Sequence, residues 1–401
     1  MATELSEHRP TKAPSRVARV IKACYSDWRV VGAMGLVALF SLLIVRTNVS
    51  SDIFRRGALA PGSASVEADG VVHLPPLAVP FSTFASPEAK AAFFRSQQIA
   101  KSFAARGPMS IAEERRAVST YFQPALARIK SIYPVVVDHD VIAGVKVDTV
   151  TPKEGISPRN AHRILINLHG GGFRVGAGIV GALESIPVAS LGKIRVVTVD
   201  YRQGPEYRYP AATEDVVAVY REMLKTYSPQ SIGIYGCSAG GLLTAEVVAW
   251  LAKQNQPEPG AVGIFCASAA GWAGGDSGST ALPLSGIAVP ADSAAPPHPQ
   301  VSNALYFNEA DFDDSLVLPI RSDALLSKFP PTLLITATRD IAMSGAVYTH
   351  ARLTRLGVDA ELHVWDGLGH AFFTNEPDLR ESREALDVIT KFFDRHLAAD
   401  Q

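Results

Sequence analysis

Residues 231–254 read SIGIYGCSAGGLLTAEVVAWLAKQ, an apolar strand pattern that runs through a glycine-rich turn into an apolar helical pattern. Ser238 stands in the middle of that turn, between Gly236 and Gly240. Glycine on each side of a sharp turn lets two backbones approach where a Cβ atom would collide. The order of strand, turn and helix therefore predicts that the hydroxyl group of Ser238 is held at a strand tip, above the N-terminus of a helix.

Strand and helix patterns alternate from about residue 162 to the end of the chain. This alternation predicts a mostly parallel central sheet with helices on both faces. Two strand patterns, in residues 135–137 and 145–150, come before it. The later strands are predicted at Ile164–Leu168, Arg195–Val199, Ser231–Tyr235, Val262–Ala267, Thr332–Thr336 and Glu361–Trp365. The helices are predicted at about 178–191, 212–226, 239–254, 343–356 and 379–397.

One long stretch interrupts the alternation. Residues 268–330 are rich in Pro, Gly and Ala and only weakly periodic. Long irregular connections inside a compact domain are usually functional, so we expect a lid or a substrate-facing insertion here. The tetrapeptide Gly275-Asp276-Ser277-Gly278 within it looks like the serine motif of chymotrypsin-type proteases, but it follows no strand, and we expect a loop.

A second glycine-rich segment follows the strand pattern Ile164–Leu168 directly. It reads His169-Gly170-Gly171-Gly172-Phe173. Backbone N–H groups of such a loop can point at one place without obstruction by side chains, as stabilisation of an oxyanion requires. The alternatives are a flexible turn or a phosphate-binding loop; against the latter, no Lys-Ser/Thr pair follows and the G-x-G-x-x-G spacing is absent.

A serine nucleophile needs a general base, and the base needs a carboxylate to orient it. Asp340 follows the apolar strand pattern at residues 332–336, and His370 lies just past the last strand pattern. Both positions are at strand ends, where loops gather above a parallel sheet. The rival acids are Asp366 and Asp359. The rival histidines, which fall inside helix or strand patterns, are His350, His363 and His396.

Composition argues against nucleic-acid binding, a disulfide framework and a zinc site. Lys and Arg total 38 and Asp and Glu total 39, a formal net charge of −1, whereas nucleic-acid-binding proteins usually carry a basic excess. Three cysteines without a Cys-x-x-Cys pair indicate neither a disulfide framework nor a zinc site. We therefore expect no structural zinc site and no nucleic-acid partner. A serine nucleophile with a histidine base would require no metal and no organic cofactor. The sequence gives no indication of an oligomeric state.

The N-terminal part carries a membrane signal. Residues 30–45 read VVGAMGLVALFSLLIV, uncharged, and their ten Val, Leu, Ile and Phe residues favour insertion by about 3–6 kcal/mol. The basic residues before this run predict that residues 1–29 stay cytoplasmic and that the rest is exported. We expect a transmembrane helix or signal anchor at residues 30–46 and a Pro/Gly/Ala/Ser-rich flexible tether at residues 47–85. A cleaved signal peptide, giving a secreted or periplasmic enzyme, and a buried soluble helix are the alternatives.

The remaining chain, residues 86–400, is expected to be one domain that starts with two helices over about 87–131. The loop at 169–173, the turn at 236–240, Asp340 and the Gly-His-Ala-Phe segment at 369–372 together resemble the hormone-sensitive-lipase-like family of α/β-hydrolases. The resemblance covers roughly residues 85–398, and the layout with an anchor is similar to that of arylacetamide deacetylase-like membrane esterases. Cys237 departs from the family, which usually has Asp or Glu there, and we expect it to be a packed side chain.

This resemblance implies an α/β-hydrolase fold with the first two helices as a cap over the pocket, and a serine carboxylesterase that acts on a small-molecule ester. Its catalytic residues would be Ser238, Asp340 and His370. The N–H groups that stabilise the oxyanion would come from Gly171, Gly172 and Ala239, and the other motif positions are His169, Gly170, Gly236 and Gly240. An amidase or deacetylase with the same three residues, and a non-catalytic ligand-binding module, are the alternatives.

The topology makes the first testable prediction. Because basic residues precede residue 30, reporter fusions at residue 28 and residue 60 should report opposite sides of the membrane. The measurement is the activity of a compartment-specific reporter at each site. A mature N-terminus near Asp52 would instead show a cleaved signal peptide and a freely exported protein.

Overall fold

The computed structural model describes residues 64–74, 76–104, 108–271, 274–286 and 305–398. Residues up to Pro80 form one unit and Phe81–Gln401 a second. In the first unit, two short strands, β1 (Ser65–Val66) and β2 (Val72–His73), pair antiparallel. The membrane helix predicted at residues 30–46 lies outside the described residues, and within them no helix has the length and apolar character to cross a bilayer.

The second unit contains most of the secondary structure. The strands of the described residues are β1 (Ser65–Val66), β2 (Val72–His73), β3 (Val135–Ile142), β4 (Val145–Pro152), β5 (Ile164–Leu168), β6 (Arg195–Val199), β7 (Ile232–Cys237), β8 (Ala261–Phe265), β9 (Thr332–Arg339) and β10 (Ala360–Gly369). The helices are α1 (Pro87–Ala104), α2 (Ile111–Ile132), α3 (Ile179–Gly192), α4 (Ala211–Met223), α5 (Ala239–Lys253), α6 (Gly275–Leu284), α7 (Asp323–Leu326), α8 (Met343–Arg355), α9 (Phe372–Asn375) and α10 (Arg380–His396).

The central sheet has eight strands in the order β10-β9-β8-β7-β5-β6-β4-β3. The pairs from β10 to β6 are parallel, while β3 and β4 join the edge antiparallel. Every residue of β5, β7 and β8 is buried, because the middle strands of a parallel sheet are covered on both faces. The predicted mostly parallel sheet is therefore confirmed.

Helices cover both faces of this sheet. The core on one face includes buried residues of α4, α5 and α8, and the core on the other includes residues of α1, α2, α3 and α10. α2 begins at Ser110, which accepts a hydrogen bond from the backbone of Glu113 while the Glu113 carboxylate accepts one from the Ser110 backbone. This reciprocal cap satisfies two N–H groups that a helix start would leave unpaired.

The structure bears on two expectations about irregular segments. Phe81 packs on Phe93, with ring centroids 5.4 Å apart, so residues 81–85 belong to the second unit and not to the tether predicted over 47–85. Part of the segment predicted over 268–330 as a lid or a substrate-facing insertion contributes to the core, because Tyr306 and Phe307 are buried and the Tyr306 ring stacks on Phe173 at 4.7 Å. Its residues 287–304 lie outside the described part.

The protease-like tetrapeptide at 275–278 is also not a loop. It forms the first turn of α6. Ser277 is buried, and its Oγ donates to the carbonyl oxygen of Ile341 and accepts from the N–H of Ser344, both at 2.9 Å. The serine thus joins α6 to the segment that precedes α8, which is a structural role.

Candidate active site

The turn after β7 holds Ser238 in an unusual backbone conformation, with φ of 58° and ψ of −119°. Its N–H group donates to the carbonyl oxygen of Phe265 at 2.8 Å. The two glycines predicted to allow the turn are both required, since a Cβ atom at Gly236 would lie 2.4 Å from backbone atoms of Gly240 and of Leu168. A Cβ at Gly240 would lie only 1.6 Å from the carbonyl oxygen of Leu168.

The structure brings the three predicted side chains together in one hydrogen-bond chain. Ser238 Oγ lies 2.8 Å from Nε2 of His370. Nδ1 of the same ring lies 2.7 Å from Oδ1 of Asp340. Ser238 follows β7, Asp340 follows β9 and His370 follows β10, so all three occupy the same edge of the sheet.

The rival residues lie elsewhere. Asp366 accepts hydrogen bonds from the hydroxyl groups of Thr338 and Ser82. The side chain of Asp359 lies 3.9 Å from His396. His350 is on α8, where its Nε2 contacts the carbonyl oxygen of Ala360, and His363 is within β10.

Electrostatics keep Asp340 ionised. The carboxyl group is fully buried, and burial alone would raise its pKa. The charge of His370 and hydrogen bonds from His370, the N–H of Ala342 and the hydroxyl of Thr336 outweigh burial, so the pKa of Asp340 is lowered. For His370, burial acts to lower the pKa, but the Asp340 carboxylate and its hydrogen bond raise it above the ordinary value of 6.5.

The glycine loop after β5 lies against this turn. Gly171 has φ of 119°, and a Cβ atom there would lie 2.1 Å from the carbonyl oxygen of Val175. In the described part of the chain, the N–H groups of Gly171, Gly172 and Ala239 have no hydrogen-bond acceptor in the protein. Unpaired N–H groups of this kind, in a positive-φ loop and at a helix start, are suited to bind an anion.

His169 anchors the start of that loop. Its ring is buried and stacks on Tyr201 with centroids 4.4 Å apart. Nδ1 donates to the carbonyl oxygen of Gly170 at 2.7 Å, and burial lowers the pKa of the ring. A neutral, stacked imidazole has a structural role and is not available as the base for Ser238.

Three contributors to the site were missed by the sequence reasoning. Thr336 donates to Asp340 Oδ2 at 2.9 Å, and Cys266 Sγ accepts from the N–H of Ala371 at 3.2 Å, next to His370. Glu184 accepts from the N–H of Gly170 at 2.9 Å. For Glu184 a signal was present, because it is the only charged residue in the apolar helix α3. Cys237 is buried, as expected.

A possible metal-ligand set overlaps the hydrogen-bond chain. Among the described residues, the ligand atoms of Cys266, Asp340 and His370 lie within 4.8 Å of one another. Asp340 and His370 are already bonded to each other there, and a Zn²⁺ ion would compete with that bond for the same nitrogen and oxygen atoms.

A cavity of ≈ 230 Å³ reaches His370. Its walls include Ala89, Phe93 and Gln97 of α1, and Arg339. The Arg339 guanidinium lies 5.0 Å from the ring centroids of both Phe81 and Phe93. The first predicted helix therefore contributes a wall to a small cavity beside the imidazole.

Comparison with known proteins agrees with this geometry. The profile of the alpha/beta hydrolase fold family matches residues 165–374, about half of the chain. The chain belongs to this family. The match includes the glycine loop, Ser238, Asp340 and His370, and it ends within α9.

Individual relatives of this α/β-hydrolase are esterases. The crystal structure of an esterase E25 is 30% identical, with a TM-score of 0.65, over 81% of this chain and 99% of that one. An esterase from the bacterial hormone-sensitive lipase family has the same fold at 24% identity and a TM-score of 0.65, over 78% of this chain and 99% of that one. An acetyl-hydrolase of Streptomyces hygroscopicus is 26% identical over 58% of this chain and 76% of its own length. The chain therefore belongs with the carboxylic-ester hydrolases of this fold.

The contact at Gly240 makes a stability prediction. Gly240→Ala would force a Cβ atom into the backbone of Leu168, so we expect the free energy of unfolding to fall by at least about 3 kcal/mol. Gly357→Ala is the control, because Gly357 has open space around it, so only its positive φ of 81° should add a cost, of about 1 kcal/mol. Urea denaturation measures both. Equal losses in the two variants would contradict the steric argument.

Proposed function

We propose that the protein is a serine carboxylesterase of the hormone-sensitive-lipase-like group that hydrolyses short- to medium-chain carboxylic esters. The observation that carries this proposal is the hydrogen-bond chain from Ser238 through His370 to Asp340. A hydroxyl, an imidazole and a buried carboxylate in this order form the arrangement that activates a serine for attack on a carbonyl carbon.

The proposed reaction has two halves. Ser238 Oγ attacks the ester carbonyl carbon while Nε2 of His370 takes the hydroxyl proton, and Asp340 stabilises the imidazolium. The N–H groups of Gly171, Gly172 and Ala239 would bind the oxyanion, each contributing about 3–4 kcal/mol in comparable sites. His370 then protonates the leaving alcohol. A water molecule repeats the cycle on the acyl-enzyme, which releases the acid and restores Ser238.

The size of the cavity supports small substrates. Pockets for drug-sized ligands have volumes of about 300–1,000 Å³, and the cavity beside His370 has ≈ 230 Å³. We propose that α1 and α2 act as a cap that limits the acyl or alcohol group to about two to eight carbons, with binding improving by about 0.8 kcal/mol per methylene until the space is full. The name acetyl-hydrolase of one relative agrees with a short acyl group.

We also propose that this enzyme is attached to a membrane by residues 30–46, with residues 1–29 cytoplasmic and the hydrolase domain exported. Support comes from the uncharged apolar run and the basic residues before it. Export after removal of a signal peptide stays the alternative.

The catalytic assignment is tested by three substitutions. Ser238→Ala should lower kcat on p-nitrophenyl butyrate by at least about 10³-fold, and Asp340→Asn by about 10⁴-fold because the wrong imidazole tautomer is favoured. Asp366 is an exposed carboxylate with hydroxyl partners of its own, so kcat of Asp366→Asn should stay within about threefold of wild type. A larger loss for Asp366→Asn than for Asp340→Asn would assign the acid differently.

The proposed base determines a pH profile. His370 accepts a proton only when neutral, and its pKa is raised, so kcat/KM should rise with pH through a midpoint above 6.5. Asp340→Asn removes the carboxylate that raises the pKa, so the midpoint of its residual activity should move to lower pH. A wild-type midpoint below 6.5 in a series of buffers would contradict the coupling of the two side chains.

Chain-length preference tests the proposed cap. Measured on p-nitrophenyl esters from acetate to palmitate, kcat/KM should reach its maximum at eight acyl carbons or fewer, because longer chains exceed the cavity. A maximum at twelve carbons or beyond would show that the cap does not enclose the pocket.

A further inference from the structure

Glu184 lies buried directly beneath the site. It is on α3 and is only 4% exposed. Its Oε1 accepts a hydrogen bond from the N–H of Gly170, and its Oε2 accepts one from Nδ2 of Asn167, both at 2.9 Å. Asn167 is on β5 and Gly170 is in the glycine loop, so one carboxyl group joins a helix, a strand and a loop.

The same carboxyl group also faces the serine turn. The N–H of Cys237, the residue before Ser238, is close enough to act on its pKa. Gly170 sits between the two: an added Cβ atom there would lie 3.0 Å from the Cys237 carbonyl oxygen, and 3.4 Å from both Glu184 Oε1 and Ser238 Cβ. The carboxyl group therefore occupies the junction between the glycine loop and the nucleophile turn.

We propose that Glu184 is a positioning residue: its carboxyl oxygen holds the backbone of Gly170 and thereby sets the direction of the N–H groups of Gly171 and Gly172 relative to Ser238. The inference deepens the proposed function and rests on it. Glu184 touches no reacting atom; it acts through the next two residues of the loop.

Energetics favour a functional reason for a carboxyl group at this place. α3 is otherwise apolar, and an apolar side chain there would avoid the cost of burying a carboxyl group. That alternative would leave the buried N–H of Gly170 without its acceptor and free the loop to shift. A displacement of about 1 Å in a group that stabilises a transition state is enough to reduce the rate strongly.

The protonation state is compatible with this role. Burial raises the pKa of Glu184 to about 8, against hydrogen bonds from Asn167, Gly170 and Cys237 that lower it. A mainly neutral carboxyl group at pH 7 accepts the Gly170 hydrogen bond without a full negative charge behind the oxyanion. The titratable neighbours whose pKa values the Glu184 carboxyl group raises are Tyr201, Tyr235 and Cys237. His169 lies beside Tyr201.

The proton of a neutral Glu184 carboxyl group needs a hydrogen-bond acceptor, and Asn167 can provide one. Its Oδ1 is buried and has no hydrogen-bond partner among the described residues. The orientation of a side-chain amide is assigned from its partners, and rotation by 180° would let Oδ1 accept a hydrogen bond from Glu184. A glutamine at position 184 can make the same pair of bonds, to Gly170 and to the rotated Asn167.

The test uses the full-length enzyme with p-nitrophenyl butyrate. Glu184→Met keeps the length of the side chain and removes the acceptor, and Glu184→Gln keeps the acceptor and removes the ionisation. Glu246→Met is the matched control, because Glu246 is a fully buried carboxyl group on α5 whose described hydrogen bond is to Thr213 and not to the glycine loop. Butylboronic acid, which forms a tetrahedral adduct on an active serine, measures the oxyanion site separately.

We expect Glu184→Met to lower kcat at least about 10-fold, against the 10²–10³-fold loss known for deleting one oxyanion donor, with KM within about threefold. The inhibition constant for butylboronic acid should rise by a similar factor as kcat falls. Glu184→Gln should recover kcat to within about threefold of wild type, and Glu246→Met should stay within the same range. If Glu184→Met does not fold, Glu184→Asp replaces it, since its shorter side chain cannot reach Gly170.

Four results would overturn the inference: a folded Glu184→Met (or its Asp replacement) with wild-type kcat, a Glu184→Gln variant as slow as Glu184→Met, an equal loss in Glu246→Met, or a loss confined to KM. An inactive wild-type protein would instead contradict the proposed esterase function. The two failures are thus distinguishable.

Discussion

Gly240 approaches the end of β5 so closely that a methyl group on it would overlap the carbonyl oxygen of Leu168. This contact is possible because β5 and β7 are parallel neighbours with Leu168 opposite Gly236. It places the serine turn and the glycine loop side by side at one edge of the sheet. The positive φ of Ser238 and the exposure of its hydroxyl group toward His370 both follow from that approach.

Two buried carboxyl groups lie near this edge of the sheet, and their pKa values are shifted in opposite directions. Asp340 faces an imidazole that can become positive, and its pKa is lowered. Glu184 faces only neutral donors, and burial raises its pKa to about 8. Similar burial with different partners therefore gives one carboxylate beside a ring that can become a cation and one mainly neutral carboxylic acid.

The sequence was sufficient for the parts of the structure that obey a simple period. β5 and β6 have the bounds that were predicted from their apolar runs, and the three side chains of the hydrogen-bond chain were found because each follows a strand directly. Tyr306 and Phe307 were not assigned to the core, since they lie in a short turn without periodicity and are buried through tertiary contacts such as those with Phe173. Glu184 was missed because its partners, Gly170 and Asn167, are 14 and 17 positions away and no local pattern relates them.

This difference separates the hydrogen-bond chain from the cavity beside it. Ser238, Asp340 and His370 stand at strand ends whose relative positions depend on sheet register, so a fold of this class brings such side chains together wherever the strand–turn–helix order is kept. The cavity walls include residues of α1, α2 and α9, the ends of β9 and β10, and the segment after α6. Those walls meet only through tertiary packing, for example the contact of Arg339 with Phe81 and Phe93. The proposed limit on substrate size therefore depends on these packed residues as well as on the motif residues Gly369 and His370, which also line the cavity.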